Sequence, residues 1–252
     1  MTEISPIIPV RRLNLARIFQ VLLQPRRTFA EIAAEAKVSW LTPMLTLSLS
    51  GLLGVIVSGF LTSRAARLGE IPLPPDWQYW TPDMQNNYMQ AQQSTQGVVF
   101  VYIFPLISVL LGLWLGWLIL SGVLHLGSTL LGGRGSMQGA LNVVGWAYLP
   151  FMARDILRVV FMLIAGHSIV SPGLSGFASS AAFLAQILSR VDLFFVWSAI
   201  LLIIGIGISD GLSKGKSISG VILILLILLL IQAGLGILVS SIGGLASQNP
   251  IF

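Results

Sequence analysis

Polar residues in this chain fall into a few short blocks, and between them run long stretches of nearly unbroken apolar residues. A helix that crosses a bilayer needs about 20 mostly apolar residues. The pattern predicts five such spans, at residues 40–61, 98–131, 141–165, 193–209 and 218–244. Trp40 opens the first, as suits an aromatic at headgroup level. The second is long enough to tilt, with a kink expected near Pro105. The third carries Arg154, Asp155 and Arg158 near its middle, and the fourth is short.

The segments between the spans differ in character. Residues 63–97 hold Pro72, Pro74, Pro75, Trp77, Tyr79, Trp80 and Pro82 and then a Gln/Asn-rich stretch, which predicts an aqueous loop whose aromatics touch headgroups. Gly132-Gly133-Arg134-Gly135 reads as a flexible turn, and residues 210–217 as a basic turn with Lys214 and Lys216. Residues 168–192 predict a turn at Pro172-Gly173 and then a semi-polar helix ending at Arg190 and Asp192, interfacial rather than spanning. The tail at 245–252 is uncharged.

Ahead of the first span, residues 12–24 place Leu15, Ile18, Phe19, Leu22 and Leu23 on one helical face and Arg17, Gln20 and Gln24 on the other, the pattern of a helix lying in a membrane interface. Pro25 suits the first turn of a second short helix; if that helix starts later, Thr28 and Glu31 form a capping box. Pro25-Arg26-Arg27 stands where a cleavable leader would need small residues, so the arm is expected to be retained. The expected fold is all-α: a cytoplasmic amphipathic arm at 1–38, with Arg12, Arg17, Phe19, Arg26 and Arg27 at the interface, and a five-helix transmembrane bundle at 39–252.

Composition agrees with this reading. With 55% hydrophobic and 9% charged residues, the chain has too little polar surface to coat a water-soluble globule. The net charge of +5 belongs to residues spread along the chain, without a nucleic-acid-binding pattern, so no nucleic-acid partner is expected. Absence of cysteine excludes thiolate chemistry, and two histidines far apart argue against a metal site; neither metal nor cofactor is expected. With the N-terminus inside, nine of the 14 Lys and Arg fall on the inner side, Arg64, Arg67 and Arg190 outside, and Arg154 and Arg158 within the third span. The positive-inside rule then predicts a cytoplasmic N-terminus and an external C-terminus.

Several motifs resemble the Yip (Ypt-interacting protein) domain family, particularly its bacterial members. They are Gln24-Pro25-Arg26-Arg27-Thr28-Phe29, Val144-Gly145-Trp146-Ala147-Tyr148-Leu149-Pro150, Pro172-Gly173-Leu174-Ser175-Gly176, Val191-Asp192-Leu193-Phe194-Phe195-Val196-Trp197 and Gly211-Leu212-Ser213-Lys214-Gly215-Lys216. The resemblance implies a polytopic protein of the bacterial inner membrane, without known catalysis, that assists other membrane machinery. Eukaryotic members work with Rab-type GTPases, but the arm here is short where theirs is long and disordered. What carries over is therefore fold and topology, not the GTPase partner.

The sharpest chemical feature is Arg154-Asp155-Arg158, since each charge at mid-bilayer costs about 2.5–3.5 kcal/mol on insertion scales. Asp155 and Arg158 can pair along the helix, leaving one positive charge in want of an acceptor. Carbonyls near Pro150, a lipid phosphate or a partner's carboxylate would serve, so the three residues are candidates for lipid or partner binding; a structural ion pair and an ion path are the other readings. Small residues four apart offer packing faces: Ser50, Gly54 and Ser58; Gly112 and Gly116; Gly236, Ser240 and Gly244. Gly173-Leu174-Ser175-Gly176 matches the G-x-S-G of rhomboid-type proteases, but no histidine follows it to act as base, and a turn is favoured. His125, Asn142, Gln186 and Gln232 read as interhelical or interfacial polar groups.

The expected function is a non-enzymatic scaffold or accessory subunit that binds membrane lipids and another membrane protein, for example an ABC-type transporter, or a second copy of itself. The alternative is a small transporter or channel component using the Arg/Asp cluster.

Overall fold

The computed structural model describes residues 14–35, 37–70, 73–74, 76–169, 172–178 and 182–248, and among them there is no strand. The helices are α1 (Ala16–Leu23), α2 (Pro25–Glu35), α3 (Leu41–Arg67), α4 (Pro82–Thr95), α5 (Phe104–Leu130), α6 (Met137–Ala147), α7 (Leu149–Ala165), α8 (Ala182–Leu188), α9 (Leu193–Ser209) and α10 (Lys214–Gln248). Among the described residues, three are long and apolar enough to cross a membrane: Leu41–Arg67, Val99–Leu130 and Lys214–Leu238.

The expected count of five is therefore three by length and hydropathy, and the reason is local. The third predicted span breaks at Tyr148, where α6 ends and α7 starts afresh with Pro150 in its first turn. Proline lacks the N–H that a continuous helix needs at that point and is tolerated where a helix begins. The fourth, α9, is apolar but has 17 residues, bounded by Asp192 and Asp210. At about 1.5 Å per residue it is a few ångströms shorter than a hydrocarbon core of about 30 Å.

The winding changes just ahead of Pro105. The turn before it, Val99–Ile103, is wound as a π-helix that runs directly into α5; a proline removes one hydrogen bond of the ladder, and the chain ahead of it relaxes into the wider winding. Residues 63–97 depart from the predicted loop. α3 continues through Arg64 to Arg67, and the Gln/Asn-rich stretch forms α4, whose start is capped by the Thr81 hydroxyl accepting from the Met84 N–H. Trp77, Trp80 and Tyr88 pack on one another, with ring centroids 5.5–5.7 Å apart.

The main core lies at the end of the bundle where α3, α6 and α10 begin and α5 and α9 finish. α6 is its centre: Ala140, Val144, Trp146 and Ala147 are fully buried. Its surroundings satisfy each polar group. The Asn142 side chain accepts from the Ser39 N–H (2.9 Å) and donates to the Lys37 carbonyl (2.7 Å). Trp146 Nε1 donates to Ser39 Oγ (3.0 Å), and Trp117 Nε1 to the Leu141 carbonyl (2.9 Å). A second, smaller core joins Val57 and Leu61 of α3 to Val159 and Met162 of α7.

The arm is integrated into the main core. Thr28, Phe29 and Ile32 of α2 are buried, and Phe29 packs where the hydrogen of Gly205 in α9 leaves room; a Cβ there would stand 3.1 Å from the Phe29 ring. In α1 the buried stripe is Arg17, Ile18 and Val21, whereas Leu15, Phe19 and Leu23 are exposed. This corrects the predicted face: Ile18 turns into the protein, and Arg17 goes with it because the Glu35 carboxylate of α2 pairs with its guanidinium, which also lies 6.0 Å from the Trp146 ring centroid. Arg26 is exposed, Arg27 pairs with Glu31 on the exposed side of α2, and Arg12 lies outside the described residues. α2 starts at Pro25, so Thr28 is inside the helix, with its hydroxyl donating to the Gln24 carbonyl (3.0 Å) in place of a capping box.

Truncating Phe29→Ala should destabilise the bundle by about 3 kcal/mol, as for a buried aromatic, read as a lower unfolding midpoint in detergent. A midpoint equal to that of the unaltered protein would show that the arm does not contribute to the core.

Candidate functional site

α3 and α7 lie side by side, and halfway along their contact the three predicted charges meet a fourth. Arg154 Nε is 3.5 Å from Asp155 Oδ1, Arg154 Nη1 is 3.6 Å from Asp192 Oδ2, and Arg158 Nη2 is 3.7 Å from the same Asp192 oxygen. Ser50 of α3 donates to Asp155 Oδ2 at 3.2 Å. The Arg154 guanidinium also stands 4.6 Å from the centroid of the Phe151 ring, a cation–π distance. Two guanidinium groups thus face two carboxylates within a partly buried cluster.

This corrects the predicted pairing. Arg158 reaches Asp192 rather than Asp155, and the acceptor that the triplet wanted comes from the chain itself. Asp192 is the N-cap of α9, its Oδ1 accepting from the Phe195 N–H at 2.8 Å while its Oδ2 faces the arginines. In the sequence it reads as the end of an interfacial helix, which hides its pairing with α7. The available signal was an acid directly abutting an apolar helix too short to keep both its ends at the membrane surface.

The turn ahead of α8 holds that arrangement. Gly173 has φ +62°, and a Cβ there would fall 2.6 Å from the Leu188 carbonyl oxygen, so glycine permits both the left-handed conformation and the close approach. The Leu174 N–H donates to the carbonyls of Leu188 and Val191, tying turn to helix end. Ser175 Oγ donates to the Pro172 carbonyl at 2.7 Å, in keeping with the turn reading of that motif. His167 contacts the Ser168 carbonyl and the Phe161 ring.

Two cavities meet at the charged cluster. The larger, about 900 Å³, lies between α3, α5 and α7; the smaller, about 470 Å³, lies between α5, α9 and α10. Tyr148, Phe151, Arg154, Arg158 and Gln232 border both. The predicted small residues Gly54, Ser58, Gly112 and Gly116 line the larger one. A Cβ added at Gly54, Gly112 or Gly116 would meet no heavy atom within 4 Å, so at these positions the small residues border open space. Ser50 sits in the α3–α7 contact, and Gly236 lies against the Gln186 side chain of α8. Ser240 and Gly244 lie in α10 beyond the described side chains. His125 borders neither cavity, and its Nδ1 is buried without a hydrogen-bond partner.

The fold and the site together define a helical membrane-type protein with a charged cluster set among its apolar helices. The Yip1 domain profile matches residues 19–236, and the chain belongs to the Yip1 family. It is also similar to an uncharacterized protein of the archaeon Methanocaldococcus jannaschii, 26% identical over 145 residues, which are 58% of this chain and 87% of that one. No solved structure matches the chain.

Asp192 has two duties that substitution can separate. Asn caps a helix about as well as Asp but carries no charge, so Asp192→Asn should keep α9 and still destabilise the protein by about 2 kcal/mol or more, as when one partner of a buried pair is removed. Unfolding midpoints of Asp192→Asn and Asp192→Ala measure this. An Asn variant as stable as the original would assign Asp192 to capping alone.

Proposed function

We propose that the protein is a non-enzymatic scaffold or accessory subunit, built as five membrane-crossing segments with the N-terminus cytoplasmic and the C-terminus outside. The crossing segments are α3, α5, the broken pair α6–α7, α9 and α10. α1 lies at the inner interface, with Leu15, Phe19 and Leu23 toward the lipid and Arg26 and Arg27 toward the headgroups. α8 with its turn forms a re-entrant segment on the outer side. The bilayer thins locally or the helix ends dip to accommodate α9, at modest energetic cost.

The observation that carries this reading is the pair of cavities around a neutralised charge cluster. The cluster is held by α7 and the start of α9 and braced by Ser50 of α3, as suits a fixed framework around a binding space. Orientation is supported by the gathering of basic residues at one end: Lys216 Nζ donates to the Leu131 carbonyl, the Arg134 N–H to the Asp210 carbonyl, and the basic arm packs on α6 and α9 at that same end. In this reading the framework organises a membrane component, either another membrane protein such as an ABC-type transporter, a second copy of the chain, or a lipid. The alternative, a small transporter component, is favoured by Arg154 and Arg158 bordering both cavities, as residues along a solute path would.

Purification in mild detergent separates the two: a stoichiometric membrane partner whose function is lost with this protein supports the accessory role, whereas a lone oligomer that moves solute across liposomes supports transport. Orientation has its own test, because the sequence contains no cysteine and an introduced one is the sole thiol. A membrane-impermeant maleimide applied to intact cells should label Gln92→Cys in α4 and spare Lys214→Cys; the reverse pattern would invert the topology.

A further inference from the structure

Arginine in this cluster has donors to spare. A guanidinium carries five N–H donors, and its charge-assisted hydrogen bonds to carboxylates run at about 2.7–2.9 Å. The three ion pairs here span 3.5–3.7 Å, longer than such bonds, and leave Arg154 and Arg158 with further N–H groups on the walls of both cavities. Arg190, on the wall of the smaller cavity, is bonded through Nη1 to the carbonyl and the side-chain oxygen of Gln186, both neutral acceptors. Around the joined cavities, then, three arginines face two carboxylates. Arg190 thus gives the lining of the smaller cavity one positive charge beyond those that Asp155 and Asp192 offset.

The shape of the space says what kind of molecule meets that charge. Gly54 and Ser58 on α3 and Gly112 and Gly116 on α5 line the larger cavity, and its other walls include Leu47, Val55 and Leu113 together with Thr62, Ser108 and Gln232. Its α3 wall runs from Leu47 to Thr62, about 22 Å at helical rise. Gly112 is exposed, so the cavity is open on the α5 side. An elongated cavity with aliphatic, small and hydroxyl side chains on its walls and guanidinium groups beside it is complementary to an amphiphile rather than to a small hydrophilic anion.

We propose that the two cavities together hold one anionic phospholipid, its phosphate in the smaller one, which Arg154, Arg158 and Arg190 all line, and an acyl chain in the larger one along the glycine and serine face of α3 and α5. This rests on the scaffold reading and names the membrane component that the framework retains. The lipid phosphate adds short bonds to guanidinium groups whose pairs with Asp155 and Asp192 are long, and the acyl chain lies in the open space beside Gly54, Gly112 and Gly116.

The test is native mass spectrometry of the full-length protein, stripped of lipid in detergent and titrated with phosphatidylglycerol, phosphatidylcholine or inorganic phosphate. One phosphatidylglycerol should bind per chain, about tenfold or more tighter than phosphatidylcholine, the worth of a charge-assisted hydrogen bond; excess inorganic phosphate should not displace it. Arg190→Gln, outside the ion-paired cluster, should remove most of that preference. Gly54→Leu with Gly112→Leu fills open space without touching a charge, and should abolish binding while leaving the unfolding midpoint unchanged. Equal affinity for the two lipids, displacement by phosphate, or undiminished binding in the filled variant would each overturn the proposal. Lipid binding that fails while a stoichiometric partner still co-purifies leaves the accessory role standing; lipid binding without any such partner leaves the lipid site and removes that role.

Discussion

A charge inside a low-dielectric bundle must find its opposite, and in this protein that requirement joins elements far apart in sequence. Arg154 and Arg158 lie on α7, Asp192 opens α9, and Ser50 reaches Asp155 from α3. Satisfying them fixes where the chain turns between α8 and α9. α9 therefore starts at the cluster and finishes, 17 residues later, at the main core. Gly173 and the backbone bonds of Leu174 hold the same turn from the other side. Removing either partner leaves a buried charge uncompensated, a heavier penalty than losing an exposed ion pair.

The opposite end of the bundle is held by ordinary packing and by the hydrogen bonds of Asn142, Trp146 and Trp117. α6 is short because Tyr148 and Pro150 end it, and being short it can be enclosed by α5, α9 and the arm. Asn142 then ties the arm's exit to α6, and Phe29 locks α2 onto α9. One end is thus rigid through close contact. Toward the cluster, glycines and serines leave volume unfilled between helices, so the same fold provides a stiff base and an accommodating middle.

Much of this was legible from residues alone. The helix starts at Pro25, Leu41 and Leu193 follow from proline placement and from the edges of apolar runs. Arg154, Asp155 and Arg158 stood out because charge within an apolar run is costly, and their need for an acceptor could be deduced. That the acceptor is Asp192 could not, since the two lie 34 or more residues apart and no local periodicity relates them. The burial of Arg17 was hidden for the same reason: helical spacing puts it on a polar face, and only the fold of α2 back onto α1 brings Glu35 to it. Gly54, Gly112 and Gly116 show a further limit, because four-residue spacing announces that a helix face is flat but not whether a neighbour or a cavity lies against it.

The central claim is that Asp192 neutralises the arginines of α7 and thereby positions α9. A double-mutant cycle with Arg158→Gln and Asp192→Asn, read as unfolding free energy in detergent, addresses it directly. The account predicts that the double variant is more stable than the sum of the single losses implies, by about 1 kcal/mol or more. Strictly additive losses would mean that the two side chains do not interact, and would contradict it.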